Sequence, residues 1–182
     1  MYSWTPISDE QAPTLDARRL RQALGAFGTG VCLVTTVGRD GKREGMTINS
    51  FASVSLAPPL VLWSLRDEAR SADVFLAVRH FVIHVLAADQ AALALHFSRA
   101  AADKFAAHED AFEPGIAGCP RLRRSAARYE CTTYSRHEEG DHTIIVGRVE
   151  AFEHEALEPL MFHAGKMGSL RELALALAPA AA

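Results

Sequence analysis

Three apolar runs that follow one another too closely for a helix to intervene are the feature that most limits what this chain can become. Val31–Val37 (VCLVTTV) leads into Gly38-Arg39-Asp40-Gly41-Lys42, whose Asp-Gly pair is a hairpin signal because the tight turn needs residues that tolerate positive φ. Glu44 to Ser55 supplies the return strand, Pro58-Pro59 interrupts it, and a third run spans Leu60 to Leu65. Parallel strands need a crossover of a dozen residues or more, and none separates these runs. A second hairpin is expected downstream, with Arg128 to His137 and Thr143 to Glu153 flanking the Gly-containing turn Glu138-Glu139-Gly140-Asp141.

Helical signals fall between and around these strands. Leu20, Ala23, Leu24 and Phe27 make an i, i+3, i+4, i+7 stripe, with Thr14 or Asp16 available as cap and Gly28 and Gly30 as stops, which predicts a lid or packing helix. Ser71 to Arg79 reads as a second helix with Ser71 at its N-cap, followed by a strand at His80 to Leu86. Asp89 to Arg99 reads as a third, capped by Asp89. Ala106 to Arg121, with Pro114, Gly115, Gly118 and Pro120, predicts a long surface loop that serves as a lid. Six or so hairpin-linked strands with helices in a few insertions define the α+β class, built on an antiparallel sheet or barrel. The expected organisation is an N-terminal extension over 1–14, one domain over 15–168, and a helical, Ala-rich tail over 169–182.

Composition narrows function mainly by exclusion. The 182 residues are 49% hydrophobic and 23% charged, which suits one globular core and excludes an intrinsically disordered chain. Nineteen Lys and Arg against 22 Asp and Glu give a net charge of −3, without the basic excess of a general nucleic-acid binder. Cys32, Cys119 and Cys131 are widely spaced, form no C-x-x-C pair and read as reduced structural thiols. Met1 to Leu15 has neither a basic n-region nor an apolar h-region, and the Ala-rich end is broken by Arg171, Glu172 and Pro179, so the expectation is a cytoplasmic chain without a membrane span. Gly25, Gly28 and Gly30 precede a strand as G-x-x-G-x-G, which is not the strand-to-helix G-x-G-x-x-G of a dinucleotide fold. His137 and His142 lie across a tight turn with no thiol at ligand spacing, so no metal is expected there.

The most informative stretch is Gly45-Met46-Thr47-Ile48-Asn49-Ser50-Phe51-Ala52-Ser53-Val54-Ser55-Leu56-Ala57-Pro58-Pro59-Leu60-Val61-Leu62. Read as one strand, it puts Thr47, Asn49, Ser53 and Ser55 on one face and Ser50 on the other or at a bulge. Short hydroxyl and amide groups in a row suit a flat heteroaromatic ligand that wants several fixed hydrogen bonds. By residue type alone, the same row is also a solvent-facing Thr/Ser face of an antiparallel sheet.

This stretch, continued through Trp63-Ser64-Leu65 and taken with Ala69-Arg70-Ser71, Phe97-Ser98, Asp103-Lys104-Phe105 and Glu139-Gly140-Asp141-His142-Thr143-Ile144-Ile145-Val146-Gly147, resembles the flavin reductase family. These are short-chain reductases that supply reduced flavin to two-component monooxygenases. The resemblance runs from about Leu20 to Lys166, with the blocks in the family's order. It implies a split β-barrel that binds flavin, as a homodimer with sites near the subunit interface.

Carried over by position, the resemblance implies that Thr47, Asn49, Ser50 and the Ser53-Val54-Ser55 turn hold the isoalloxazine and ribityl chain. Arg70 and Ser71, ahead of a helix, fall where the flavin phosphate would sit, with Lys104 and Ser98 as further phosphate candidates and Phe105 as a ring to pack on the cofactor. Gly140, Asp141 and His142 fall beside the nicotinamide, and His142 would orient the dinucleotide or stabilise charge as hydride leaves. By residue type alone, Ser71 is also a plain N-cap, Lys104 a solvated lysine and His142 a strand-end histidine. Ala164 and Lys166 depart from the family's usual Arg-Gly pair, which leaves the role of His163 open; Trp63 reads as packing.

The expected activity is an NAD(P)H:flavin oxidoreductase that passes hydride to N5 of FMN or FAD and releases reduced flavin to a separate monooxygenase. No conspicuous Arg cluster awaits a 2′-phosphate, which favours NADH over NADPH. The alternative from another class is a flavin- or haem-binding electron carrier or sensor without NADH turnover. A third keeps the fold and changes the acceptor to a corrinoid or a ferric chelate.

Overall fold

A computed structural model describes residues 15–101 and 103–177. The extension expected over 1–14, including Thr14, and the end of the tail, 178–182, lie outside the described residues. The chain begins with α1 (Ala17–Leu24), β1 (Thr29–Gly30), β2 (Cys32–Val37), β3 (Arg43–Ile48), β4 (Ala52–Leu56), β5 (Pro59–Arg66), α2 (Ala72–Ala77) and β6 (His80–Val85). It continues with α3 (Ala91–Ser98), β7 (Phe112–Pro114), β8 (Pro120–Leu122), β9 (Ala127–Glu139), β10 (His142–His154), β11 (Met161–His163), β12 (Lys166–Gly168) and α4 (Leu170–Leu177). Seven strands form one sheet in the order β3-β2-β6-β9-β10-β5-β4, with every pairing antiparallel.

The two hairpins arise from local chemistry. At the β2–β3 turn the Asp40 carboxylate accepts from the Lys42 amide at 3.0 Å, and Gly41 takes φ +79°, the left-handed value that makes glycine the natural occupant. The β9–β10 hairpin is tighter than the sequence suggested. Its strands run to Glu139 and from His142, leaving Gly140-Asp141 as the two-residue turn, with Gly140 at φ +66°.

The return strand expected over Glu44 to Ser55 is two strands on opposite edges of the sheet. Asn49-Ser50-Phe51 carries the chain from the end of β3 to the start of β4. The Ser50 hydroxyl accepts from the Ser64 amide at 3.0 Å and donates to the Ser64 carbonyl at 3.2 Å, so the link is pinned to β5 and the alternation breaks there. A register shift between Ser53 and Ser55 adds a bulge in β4. The common face expected for Thr47, Asn49, Ser53 and Ser55 is therefore not a strand face. It has a larger consequence: this link reaches at most about 14 Å, whereas the outer strands of a flat seven-stranded sheet would stand about 29 Å apart. The sheet must roll.

Rolling gives the sheet an inner and an outer core. Cys32, Val34, Ile48, Val61, Trp63, Leu65, Phe81, Ile83 and Ile145 meet inside, with Phe75 of α2 among them. The Trp63 ring lies edge-on to Phe75 at 5.3 Å and to Phe81 at 6.0 Å, the packing role expected for it. Val31, Leu33, Leu86, Phe97, Phe105, Phe112 and Leu122 form the second core on the other face, under α3 and residues 103–122. Because successive side chains of a strand point to opposite faces, β2 divides its apolar residues between the two cores and is buried along nearly its whole length.

Several local expectations change. The segment 106–121 is not a free loop or lid: it holds a short 3₁₀ turn over Ala106–Ala111 and nearly all of the β7–β8 hairpin, and it buries Phe112 and Cys119. Thr35 donates to the Pro120 carbonyl and Arg121 pairs with Glu130 of β9 at 3.1 Å, so polar groups as well as apolar ones fasten it down. Asp89 does not cap α3. It pairs with Arg124 at 3.0 Å, and the Gln90 side chain accepts from the Ala87 amide instead. Ser71 precedes α2 but makes no side-chain cap bond, and α2 stops at Ala77. Asp16 is the cap of α1, which ends at Gly25, yet Leu20, Leu24 and Phe27 along its stripe remain 44%, 67% and 77% exposed. This helix lies outside both cores, tied to the β11–β12 hairpin by the Ala164 amide, which donates to the Gly25 carbonyl at 2.9 Å.

His84, fully buried between the sheet and β8, was not singled out by sequence. Its Nδ1 faces the Leu33 carbonyl at 3.0 Å, and its Nε2 accepts from the Leu122 amide at 3.0 Å, which assigns the proton to Nδ1 and keeps the ring neutral. Burial pushes its pKa down to about 4. The unfolded chain takes up this proton first as pH falls, so the contribution is complete above pH 6.5 and is lost progressively toward pH 4. We expect about 3 kcal/mol of stability to disappear over that window through His84, measured as the difference in urea-unfolding slopes with pH between wild type and His84→Gln. Gly147 supplies a second check: a Cβ there would lie 2.5 Å from Phe81 Cζ. Gly147→Ala should cost about 1–3 kcal/mol in urea unfolding.

Candidate functional site

The end of β3 and the β11–β12 hairpin enclose a pocket of about 180 Å³, lined by Val31, Thr47, Ile48, Asn49, Phe162 and Met167. Thr47 fixes one wall, its hydroxyl donating to the Ala94 carbonyl of α3 at 2.7 Å. The exposed Asn49 side chain makes no hydrogen bond among the described residues, so its amide is free to address a ligand. Ser50 beside it is committed to β5. On β4, Ser53 and Val54 are exposed and Ser55 accepts from the Ala57 amide at 3.2 Å. A pocket with apolar walls and a few amide or hydroxyl groups at its rim suits one face and one polar edge of a flat ring.

Positive charge gathers farther along. Lys104 is half-buried, and its ammonium donates to the carbonyls of Gly45 at 3.0 Å and Phe97 at 2.9 Å. Burial lowers its pKa first; Glu44 opposes the shift and the nearby charge of Arg70 adds to it. Arg70 is exposed, so the two cations share one neighbourhood with Arg70 as the more accessible. Ser71 is buried. Ser98 turns its hydroxyl back to the Leu95 carbonyl at 2.8 Å. Phe105, expected to pack on a cofactor, is instead in the second core, 5.1 Å from Phe97 and 5.0 Å from Phe112, with the Arg43 guanidinium 4.9 Å over its ring. At 1% exposure it has no face left for a ligand.

At the tip of the β9–β10 hairpin, His142 Nδ1 lies 2.7 Å from the Asp141 carboxylate. This bond holds the Asp141 pKa below the usual carboxylate range and ties one ring nitrogen of a partly exposed His142 side chain. The Asp67 amide donates to the Asp141 carbonyl at 3.1 Å and Thr143 donates to the Asp67 carboxylate at 2.8 Å, so the tip is fastened to the end of β5. The imidazole is therefore oriented by a carboxylate on a braced turn.

Sequence reading missed Val31, Phe162 and Met167 as pocket walls. The available signal was the turn between β11 and β12, where Ala164 and Gly165 both take positive φ, +48° and +81°. His163 is half-buried on β11, next to that turn. The three cysteines are free and buried, and burial pushes the Cys32 and Cys131 thiols up to about 12.

A rolled antiparallel sheet with this pocket and hairpin defines a class, and comparison confirms it: the chain belongs to the flavin reductase family, whose "Flavin reductase like domain" matches residues 24–171. Among curated proteins it is 45% identical over 154 residues to the FMN reductase (NADH) SmoA of Agrobacterium fabrum, covering 84% of this chain and 86% of that protein. It is 37% identical to an NADH-dependent flavin reductase of Rhodococcus, covering 93% and 95%. Other relatives are longer; the chain spans 49% of a probable flavin reductase of Rhizobium meliloti. Among solved structures, the Streptomyces globisporus NADH:FAD oxidoreductase in complex with NAD and FAD fragments superposes with a TM-score of 0.78 at 35% identity, over 86% of this chain and 95% of that one.

Replacing Lys104 with Met removes the cation from two carbonyls without much change in length. The loss should be about 1–3 kcal/mol, read as a lower midpoint in urea unfolding.

Proposed function

We propose that this protein is an NADH-dependent flavin reductase that supplies reduced FMN or FAD to a separate flavin-dependent monooxygenase. The observation that carries the proposal is the pocket at the end of β3, with the uncommitted amide of Asn49 at its rim, in a chain matched over 24–171 by the flavin reductase family. Relatives named as reductase components of monooxygenases support the partner class, among them the HsaB reductase subunit of Rhodococcus jostii.

In this reading the rolled sheet is a split barrel. Thr47 and Asn49 take the flavin ring, Ser53 and Ser55 reach it from β4 across the short link, and Ser50 positions them through Ser64. Bound flavin supplies a ring that accepts hydride; the protein supplies binding and orientation. Arg70, with Lys104 behind it, faces the flavin phosphate, while Ser71 and Ser98 shape the backbone there. Gly140 keeps the hairpin tight, and Asp141 holds the His142 ring so that it can align the nicotinamide without itself moving a proton. The open rim suits a flavin that leaves after reduction.

Two further parts of the reading concern the assembly and its location. The exposed apolar residues Leu24, Phe27, Leu56 and Phe152 support a homodimer, since a second copy would remove them from water. Among the described residues no helix is long and apolar enough to cross a membrane; the cytoplasm is the proposed location.

NADH absorbance should decay under air with catalytic protein when FMN or FAD is added. Ser53→Trp and Ser55→Trp should abolish that decay while leaving the circular dichroism spectrum native. Unchanged turnover in both variants would move the flavin elsewhere, and no decay with any flavin in wild type would overturn the reductase reading.

A further inference from the structure

His142 begins β10, and the chain on either side of it is held by one residue that follows a different strand. β5 ends at Arg66, directly opposite His142 in the ladder, and Thr143 stands opposite Leu65. Asp67 comes next. Its amide donates to the Asp141 carbonyl at 3.1 Å, and its carboxylate accepts from the Thr143 hydroxyl at 2.8 Å. Residue 141 is thus fixed through its backbone and residue 143 through its side chain, and neither bond involves the imidazole between them.

The hairpin needs an anchor at this point. From Tyr134 to Glu139, β9 pairs with β10 alone, because the ladder with β6 ends at Thr132. The tip is therefore a two-stranded ribbon backed on one side only, by the last residues of β5, and two strands by themselves are marginal in water. Thr143 is 3% exposed, so its hydroxyl has left water and depends on the carboxylate for a partner. Asp67 is itself exposed, and among the described residues its side chain bonds to Thr143 and to no cation; the neighbouring Arg66 pairs with Glu68 at 2.8 Å.

We propose that Asp67 is a positioning residue for hydride transfer: by clamping Asp141 and Thr143 it holds His142 in place beside the nicotinamide, and it does not itself touch substrate. The orientation is passed on in two steps. Asp67 fixes the Asp141 backbone, and the Asp141 carboxylate, 2.7 Å from Nδ1, fixes the ring. Thr143 holds the start of β10 from the other side, so the ring does not swing with the turn. Hydride transfer needs its two reacting atoms about 3–3.5 Å apart, and a displacement of about 1 Å can cost a rate factor of about a hundred. The inference rests on the reductase reading, which puts the nicotinamide beside His142. No sequence pattern marked Asp67: Arg66-Asp67-Glu68 is by residue type a plain charged turn, and its carboxylate meets a hydroxyl 76 residues further along only through the β5–β10 ladder.

The test separates positioning from stability. Asp67→Ala removes the acceptor, Thr143→Val removes the donor at nearly constant shape, and Asp67→Asn keeps an oxygen that accepts from Thr143. NADH oxidation with FMN is measured for these three, for His142→Ala and for Asp67→Ala/His142→Ala, with circular dichroism to check folding. Asp67→Ala and Thr143→Val should each lower kcat about tenfold with the KM for FMN as in wild type, and Asp67→Asn should restore kcat. The double variant should be no slower than His142→Ala, because Asp67 acts through His142. A strut that serves only stability would lower the urea midpoint and leave kcat unchanged. Wild-type kcat in Asp67→Ala, wild-type kcat in His142→Ala, or a further tenfold loss when Asp67→Ala is added to His142→Ala overturns the proposal and leaves the reductase reading standing. Absence of NADH oxidation in wild type rejects the reductase reading instead, and the His142 ring resonances in NMR then test the clamp by itself: a shift in Asp67→Ala that Asp67→Asn reverses keeps it, and identical resonances in all three proteins overturn it.

Discussion

The three residues Asn49-Ser50-Phe51 impose the constraint on which the rest of the structure depends. They join strands at opposite edges of a seven-stranded sheet, and the chain is too short there for the sheet to stay flat. Ser50 makes the constraint specific by bonding both backbone groups of Ser64, so the link lies against β5 instead of passing over solvent. The same link places Asn49 at the rim of a pocket and delivers Ser53 to the neighbouring edge. In the proposed reading folding and function share these residues: the hydroxyl that pins the link to β5 also positions Asn49 at the pocket rim.

A rolled sheet has two faces to cover, and that explains which candidate residues stay at the surface. The inner face is filled by Trp63, Phe75 and Phe81; the outer face needs α3 and the 103–122 segment. Covering the outer face draws Phe105 under Arg43 and sets the Lys104 ammonium on two carbonyls. It also sequesters His84, which is held neutral by one donor and one acceptor on either side. Residues whose types suggest ligand contact therefore serve packing, and α1, left outside both cores, presents arginines and apolar side chains instead.

The sequence was most legible where the physics is local. Alternation, Asp-Gly and Gly-Asp turns, and the lack of crossovers are read within a few residues, and the β2–β3 and β9–β10 hairpins follow from them. The cap of α1 is legible to within two candidates, Thr14 or Asp16, for the same reason, and the structure has Asp16 there. It was least legible where a partner distant in the chain decides the outcome: Asp89 pairs with Arg124 in place of capping, and 106–121 is held by the hydroxyl of Thr35. The break at Ser50 belongs to this second group, because an alternating polar stretch looks the same whether it continues along one edge or crosses to another.

Sequence by itself determined the antiparallel class, the hairpin bearing Asp141 and His142, the buried thiols and the block of hydroxyl and amide residues from Thr47 to Ser55. These are set by side-chain period and turn stereochemistry, which act over short range. Only the tertiary structure decided which of those residues face a pocket, that Phe162 and Met167 complete it, and that Asp67 holds the residues on either side of His142. The physical reason is that a pocket is the space left between elements far apart in the chain, and its walls are fixed by how the sheet rolls and what covers it.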